Sequence, residues 1–350
     1  MSDFVNPVLE SINPIILESK HVSINYDKID GLAVKLAKEY SEGKIKLPEW
    51  RGEIYPEDGK DALEFLFLIN TINFAFTDFS TKEKFQTTYN RKIYSGALAM
   101  EACIKRALDN GMEMLDPRYL ELLDRKSLRQ IFTGNIEIPM LNERLKILNE
   151  TGGFLRKNNK SFNNLCKKSK FKTFADDYSD KKDKGIVERL VNEFPYFYDA
   201  SFIGDTEIIF HKRAQLAPMI AYGRFNNESN DEKDKEFFPM SEEEIDKLTV
   251  AADYVLPKTL RALDILKYNK NLEQKIDNQI PIKHGSREEV EIRMATIYSS
   301  EILWAYSNFY LSNIPKQENK HINKGHIDSY LWFKGKSLEG KPHLCRTVAY

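Results

Sequence analysis

Apolar residues recur at helical spacing along nearly the whole chain, bracketed by residues that start and stop helices. That pattern limits the possible folds more than any single motif does. DGLAVKLAKEYSEG (30–43) sets Leu32, Val34, Leu36 and Ala37 among polar residues and ends in Gly43, a helix stop. Residues 60–78 read as a strongly apolar helix, and 95–109 as an alanine- and leucine-rich one with Gly111 after it. Residues 139–153 open with Pro139 and close with Gly152-Gly153, the usual asymmetry of helix ends. The segments 186–194 and 257–268 follow the same logic. Strand signal is confined to SINYD (23–27) and TEIIFH (206–211). The expectation is a mainly α protein with a minor β element. It fits a single domain over 1–350, or two lobes of roughly 1–200 and 201–350. The charged stretches 168–185 and 226–236 read as surface loops.

Composition narrows the function. The formal net charge is −1, with 41% hydrophobic and 30% charged residues. A protein that grips a nucleic-acid polymer normally carries a basic surplus, because phosphate neutralisation dominates that affinity. The balance here argues against such a partner. The most apolar stretch, LEFLFLINTINFAF (63–76), is short and holds Asn70 and Asn73, so it reads as a buried helix rather than a membrane span. MSDFVNPVLE lacks the basic-then-apolar order of a signal peptide. Cys103, Cys166 and Cys345 are far apart and odd in number, which suits reduced thiols in the cytoplasm. No Gly-rich phosphate loop, GxSxG, HExxH or EF-hand pattern occurs, so no metal and no cofactor is expected.

Four places carry candidate chemistry. In VAADYVLP (250–257), Asp253 stands among small apolar residues just before Tyr254. SEEE (241–244) has the form of a capping box, whose short helix should end near Ala251 or Ala252. Asp253 would then cap the next helix, with Pro257 in its first turn. Burying a carboxylate is costly without compensation, so Asp253 is either a cap, or a cap that also does chemistry at a pocket floor. In FHKRAQ (210–215), a strand ends at Phe210 and a helix begins near Lys212 and Arg213. The pair is either solvated, or forms a phosphate site with the helix N-terminus; His211 reads as packing or polar support. In NTINFAFTDF (70–79), Phe76 suits stacking on a planar base, with Asn73 and Asp78 reading its edge; the plainer alternative is the end of a core helix. Residues 287–306 read as a structural helix carrying the i,i+4 pair Glu289–Arg293, opened by the capping box Ser286–Glu289. The tail KPHLCRTVAY (341–350) ends in aromatic and β-branched residues, which suggests that it docks and lets Arg346 reach a site.

Taken in order, INFAFTDF, YSGALAMEACIKRAL, IPMLNERLKILNETGG, FHKRAQ, AADYVLP, EVEIR and SYLWF resemble the queuosine salvage proteins over roughly residues 20–350. The resemblance implies a mostly helical fold akin to helix-hairpin-helix DNA glycosylases. The reaction it implies is hydrolysis of the N-glycosidic bond of queuosine 5′-monophosphate, releasing queuine for reinsertion into tRNA. It aligns the family's acid with Asp253, its tyrosine with Tyr254 and its lysine with Lys212. Val255, Thr77 and His211 depart from the family's arginine, tryptophan and tyrosine at those places. A DNA substrate is disfavoured, because the segment before Asp253 has no glycine and carries Glu242, Glu243, Glu244 and Asp246. A glycosylase for another modified nucleotide and a non-enzymatic helical interaction protein are the alternatives. The second predicts that Asp253, Lys212 and Phe76 scatter over separate faces.

Overall fold

The computed structural model describes residues 4–158, 160–175, 183–227, 229–317 and 319–350, and these are mainly helical. In chain order the elements are α1 (Pro7–Ile12), β1 (Val22–Ile24), α2 (Tyr26–Ser41), α3 (Gly59–Thr71), β2 (Gln86–Tyr89), β3 (Lys92–Ser95), α4 (Ala97–Asp109) and α5 (Pro117–Leu122). There follow α6 (Arg125–Ile131), α7 (Leu141–Lys157), α8 (Phe162–Lys168), α9 (Ile186–Glu193), β4 (Ala200–Ile203), β5 (Thr206–Ile209), α10 (Lys212–Phe225) and α11 (Glu232–Phe237). The chain ends with α12 (Glu242–Asp246), α13 (Val255–Ala262), β6 (Leu266–Tyr268), α14 (Lys270–Asp277), α15 (Arg287–Ser312) and α16 (Lys324–Ser337). Among the described residues no helix is long and apolar enough to cross a membrane.

The chain divides into two units, each assembled from separated segments. Unit 1 comprises residues 1–48, 199–219 and 241–345; unit 2 comprises 49–198, 220–240 and 346–350. In unit 1, α15 packs along α2. Leu36, Ile29, Val290, Met294 and Ile297 share one core there, each at most 1% exposed. Burying a side chain of this size contributes about 1.5–3 kcal/mol. Two antiparallel pairs flank that core, β1 with β6 and the hairpin β4–β5. In unit 2, α3, α4, α7 and α8 bury Phe65, Phe67, Ile104, Leu148 and Phe162. Phe67 stacks on Phe162 at 5.3 Å between ring centroids. The hairpin β2–β3 turns at Asn90 and Arg91, both with positive φ.

Several expected boundaries move. The apolar helix ends at Thr71 rather than near 78. Asn70 Nδ2 and Thr71 Oγ1 donate to the carbonyls of Leu66 and Leu68 at 2.8 and 2.7 Å, competing with helix continuation. Gly152 and Gly153 do not stop α7, which runs on to Lys157. A Cβ on Gly152 would lie 2.5 Å from both Glu121 N and Pro117 O, so the glycine serves close packing of α5 on α7. The helix expected over 257–268 begins earlier, at Val255, and ends at Ala262; Leu266–Tyr268 pairs with β1 instead. SINYD is strand only through Ile24, and Tyr26 already opens α2. Ser241 precedes α12 but makes no side-chain cap bond, and α12 stops at Asp246, short of Ala251. The stretch 226–236 is not all loop, since α11 starts at Glu232. Of 168–185, residues 176–182 lie outside the described residues.

Candidate active site

Asp253 stands where the connection from α12 enters α13. Its Oδ1 accepts hydrogen bonds from Val255 N at 2.6 Å and Leu256 N at 3.1 Å, so it caps α13 as the sequence suggests. The residue is only 8% exposed. A carboxylate that deep needs N–H groups or cations around it. The start of α13 supplies the first, and Lys212 acts on it as the second.

Three side chains pin the loop that delivers Asp253. Gln215 accepts from Thr249 N at 2.8 Å, and its Nε2 donates at 2.9 Å to both Phe210 O and Thr249 Oγ1. Asp328, on α16, accepts from Ala251 N at 2.7 Å. Arg293, on α15, donates from Nε to Ala252 O at 3.3 Å.

Lys212 and Arg213 open α10 and are 4% and 1% exposed, so they are not a solvated pair. Burial pulls the Lys212 ammonium down to about 8. Asp253 and Asp328 pull it up, while Arg213 and Arg293 add to the fall. Lys212 therefore remains mostly charged at neutral pH. Burial lowers Arg213 to about 10, against the attraction of Asp199. Asp199 organises this end of α10. Its Oδ2 accepts from Lys212 N at 3.1 Å, and both its oxygens pair with Arg293, at 2.8 and 2.6 Å. Burial works against the Asp199 carboxylate, but the Arg293 guanidinium, with Lys212 N–H and His211, more than offsets it, and the group lies below its ordinary range. His211 takes a φ of +49°, which turns the chain from β5 into α10. Its Nδ1 accepts from Asp199 N at 3.3 Å, the polar support expected of it.

The other residues singled out in the sequence fall as follows. Tyr254 is half-buried beside Asp253, at the head of α13. Asn73, Phe76 and Asp78 belong to unit 2 and lie after α3, in irregular chain rather than on helical turns. Phe76 is buried, with the Arg144 guanidinium 5.1 Å from its ring centroid. Asp78 Oδ1 accepts from Ser80 N at 2.9 Å, Ser80 Oγ at 2.6 Å, Thr81 N at 2.7 Å and Thr81 Oγ1 at 3.1 Å. These bonds, the Ser80 hydroxyl first, lower its carboxyl to about 2. Arg346, in unit 2, is 60% exposed and donates to Glu143 at 2.7 Å. The tail does dock: Ile282 N donates to Leu344 O at 2.7 Å, and Ala75 N to Tyr350 O at 3.1 Å.

Sequence reasoning passed over Asp328, Asp199 and Gln215 and gave Arg293 little weight. Arg293 does lie beside Glu289, at 3.7 Å, but its main partner is Asp199. Among the described residues, His284, Glu289 and Cys345 have donor atoms within 4.8 Å of one another, as a metal would need. The Arg293 guanidinium already supplies positive charge there, and Gly285 N donates to Glu289 at 3.1 Å.

A helical protein with capped, buried carboxylates around a buried lysine is the class that these elements define. A model of the queuosine salvage protein family matches residues 54–350, and the chain belongs to that family. Curated relatives carry the name queuosine 5′-phosphate N-glycosylase/hydrolase. The one from Sphaerobacter thermophilus is 29% identical over 98% of this chain and 97% of its own length. The one from Nematostella vectensis is 27% identical over the full length of both chains, at 100% each. The one from Bos taurus is 28% identical over 97% of this chain and 98% of its own.

Proposed function

We propose that this chain hydrolyses the N-glycosidic bond of queuosine 5′-monophosphate and releases queuine. The observation that carries the reading is the Asp253 carboxylate, buried and fixed by the first N–H groups of α13 with Lys212 acting on it. Family membership and the names of the relatives support the substrate.

Breaking an N-glycosidic bond builds positive charge on the ribose ring. A fixed carboxylate stabilises that charge more than it stabilises the neutral ground state, and only such differential stabilisation accelerates the step. Asp253 has this role. Its cap bonds hold the carboxylate in one orientation, so no reorganisation is needed as the charge appears. Lys212 holds the 5′-phosphate as a point charge, with Arg213 beside it, and phosphate binding positions the ribose. Tyr254 contacts the sugar next to the acid. Phe76 stacks on the base, Asn73 and the Asp78 oxygen outside its turn read the base edge, and Arg346 adds a cation; each of these is a separate assignment.

The same proposal takes residues 1–350 as one salvage domain. It also keeps the finer likeness to helix-hairpin-helix DNA glycosylases, supported by the order α12, loop, Asp253, α13. Three buried free thiols, Cys103, Cys166 and Cys345, fit a reducing cytoplasm.

The test is queuine release, followed by chromatography and mass spectrometry, for wild type and Asp253→Asn on queuosine 5′-monophosphate with GMP as control. Release from the queuosine nucleotide alone is expected. The variant should lose about a hundredfold or more in kcat, the scale of one removed electrostatic stabiliser. No release by the wild type overturns the substrate, and a fully active variant reduces Asp253 to a helix cap.

A further inference from the structure

A second buried carboxyl group shares the loop that carries Asp253. Asp328 lies in the first turns of α16 and is 8% exposed. α16 is locked to α13 by side chains of α13 that donate to its backbone carbonyls. Thr259 Oγ1 donates to Leu331 O at 2.9 Å, and Lys258 Nζ donates to Gly335 O at 2.9 Å and Leu338 O at 2.8 Å. A Cβ on Gly335 would come 2.3 Å from Thr259 Oγ1, so the helices are as close as this sequence permits. That packing brings Asp328 Oδ1 to Ala251 N, two residues before Asp253, and places both acids in the field of Lys212.

Two carboxyl groups at one site do not ionise with equal ease, and their surroundings decide which keeps its proton. Asp253 faces two N–H groups at a helix start, an environment suited to negative charge. Asp328 has the single N–H of Ala251. Burial pushes the Asp328 carboxyl up to about 7; Asp253 adds to the rise, while Ala251 N–H and Lys212 oppose it. The charged groups that neighbouring elements bring to the N-terminal half of α16 are engaged elsewhere. Lys258 is on the carbonyls of α16, Glu242 on Asn323, Asp246 on His321 and Lys324 N, and Glu301 on Lys324. His326, on α16 itself, is lowered to about 4 by burial and is neutral at working pH.

We propose that Asp328 is the proton donor to the departing base, working with Asp253 as the charge-stabilising acid; this rests on the N-glycoside hydrolase reading above. The C1′–N bond breaks and its electron pair stays with the base. The Asp328 proton passes to the base, which leaves neutral. Water then bonds to C1′ through its oxygen, and its surplus proton returns to the Asp328 carboxylate. One water is consumed, and one base and one ribose 5-phosphate are released. Protonating a poor leaving group by a positioned acid contributes about 10²–10⁴-fold.

The experiment compares wild type, Asp328→Asn and Asp253→Asn on two substrates across pH 5–9. One is queuosine 5′-monophosphate. The other is a 4-nitrophenyl riboside 5-phosphate, whose leaving group departs without a proton. Asparagine keeps an acceptor for Ala251 N, and thermal melts check folding. On the nucleotide, Asp328→Asn should lose about a hundredfold or more in kcat with little change in KM. It should also lose the fall in wild-type activity as pH rises past 7, where the donor gives up its proton. On the nitrophenyl substrate it should lose less than about tenfold, whereas Asp253→Asn fails on both. Equal loss by Asp328→Asn on both substrates, or no loss on the nucleotide, overturns the proton-donor role while wild-type queuine release keeps the parent reading. Absence of release by the wild type overturns both.

Discussion

Two irregular stretches of the molecule solve the same structural problem with different chemistry. In unit 2, the turn after α3 is held by Arg144. Its guanidinium donates to the carbonyls of Ile72, Phe74 and Ala75, its Nε donates to Pro139 O at 3.1 Å, and it lies 4.3 Å from the Phe74 ring centroid. In unit 1, the loop 249–253 is held by Gln215, Arg293 and Asp328 around Asp253 and Lys212. Carbonyl oxygens and a guanidinium do not titrate in the accessible range. Asp328, raised to about 7, and Lys212, lowered to about 8, do. Holding a loop does not require titratable groups, as the Arg144 turn demonstrates. Their concentration around Asp253 is the better guide to chemistry.

The largest test of this contrast is Arg144→Met. Methionine fills much of the space but leaves buried carbonyls without donors, each costing about 1–3 kcal/mol. The unfolding free energy should fall by roughly 4 kcal/mol, read from urea midpoints. The loss should be the same at pH 5 and pH 8. A strong pH dependence would mean that this turn, too, rests on titrating groups.

Asp328→Asn sharpens the other side. The folded carboxyl is raised from 3.8 to about 7, so the fold binds this proton more tightly than the unfolded chain does. Its contribution is fully present below the unfolded value and is lost as pH rises through 7. Asparagine has no proton to lose. The stability of the variant relative to wild type should therefore rise between pH 5 and pH 8, by roughly 2.5 kcal/mol. Urea melts at the two pH values measure it. A constant difference would mean that Asp328 does not titrate in this window.

What the sequence made legible follows from how local each cause is. The cap of α13 was readable because Asp253 lies within three residues of the N–H groups it accepts from, although the apolar pattern alone starts that helix at Pro257; the start of α10 was readable because Lys212 comes soon after β5 ends at Ile209. The end of α3 was not readable. Ile72 and Phe74 continue the apolar pattern, and the group that draws their carbonyls out is Arg144, far along the chain. Gly152 resembles a helix stop unless α5 is known to lie against it. Asp328 was missed for the same reason. It sits in a stretch of mixed polar and apolar residues without a clear apolar face, immediately before the SYLWF that carries part of the family resemblance, and nothing nearby marks it as buried. Gln215 closes FHKRAQ, yet its partner Thr249 is visible only in the fold.

The smallest expected effect separates the cap role of Asp253 from the catalytic role proposed for it. Asparagine keeps a side-chain oxygen for Val255 N and Leu256 N, while alanine removes it. Replacing a cap of this kind with alanine costs about 1 kcal/mol, whereas asparagine caps about as well as aspartate. Asp253→Asn and Asp253→Ala should then be equally inactive, because both lack the negative charge. Only the alanine variant should melt earlier, by about 1 kcal/mol in unfolding free energy. If activity instead tracks stability, with asparagine nearly active and alanine not, the carboxylate acts by holding α13 in place, and the contrast with the Arg144 turn disappears. If both are inactive while stability splits, one side chain does both jobs: the cap fixes the orientation in which the charge is useful.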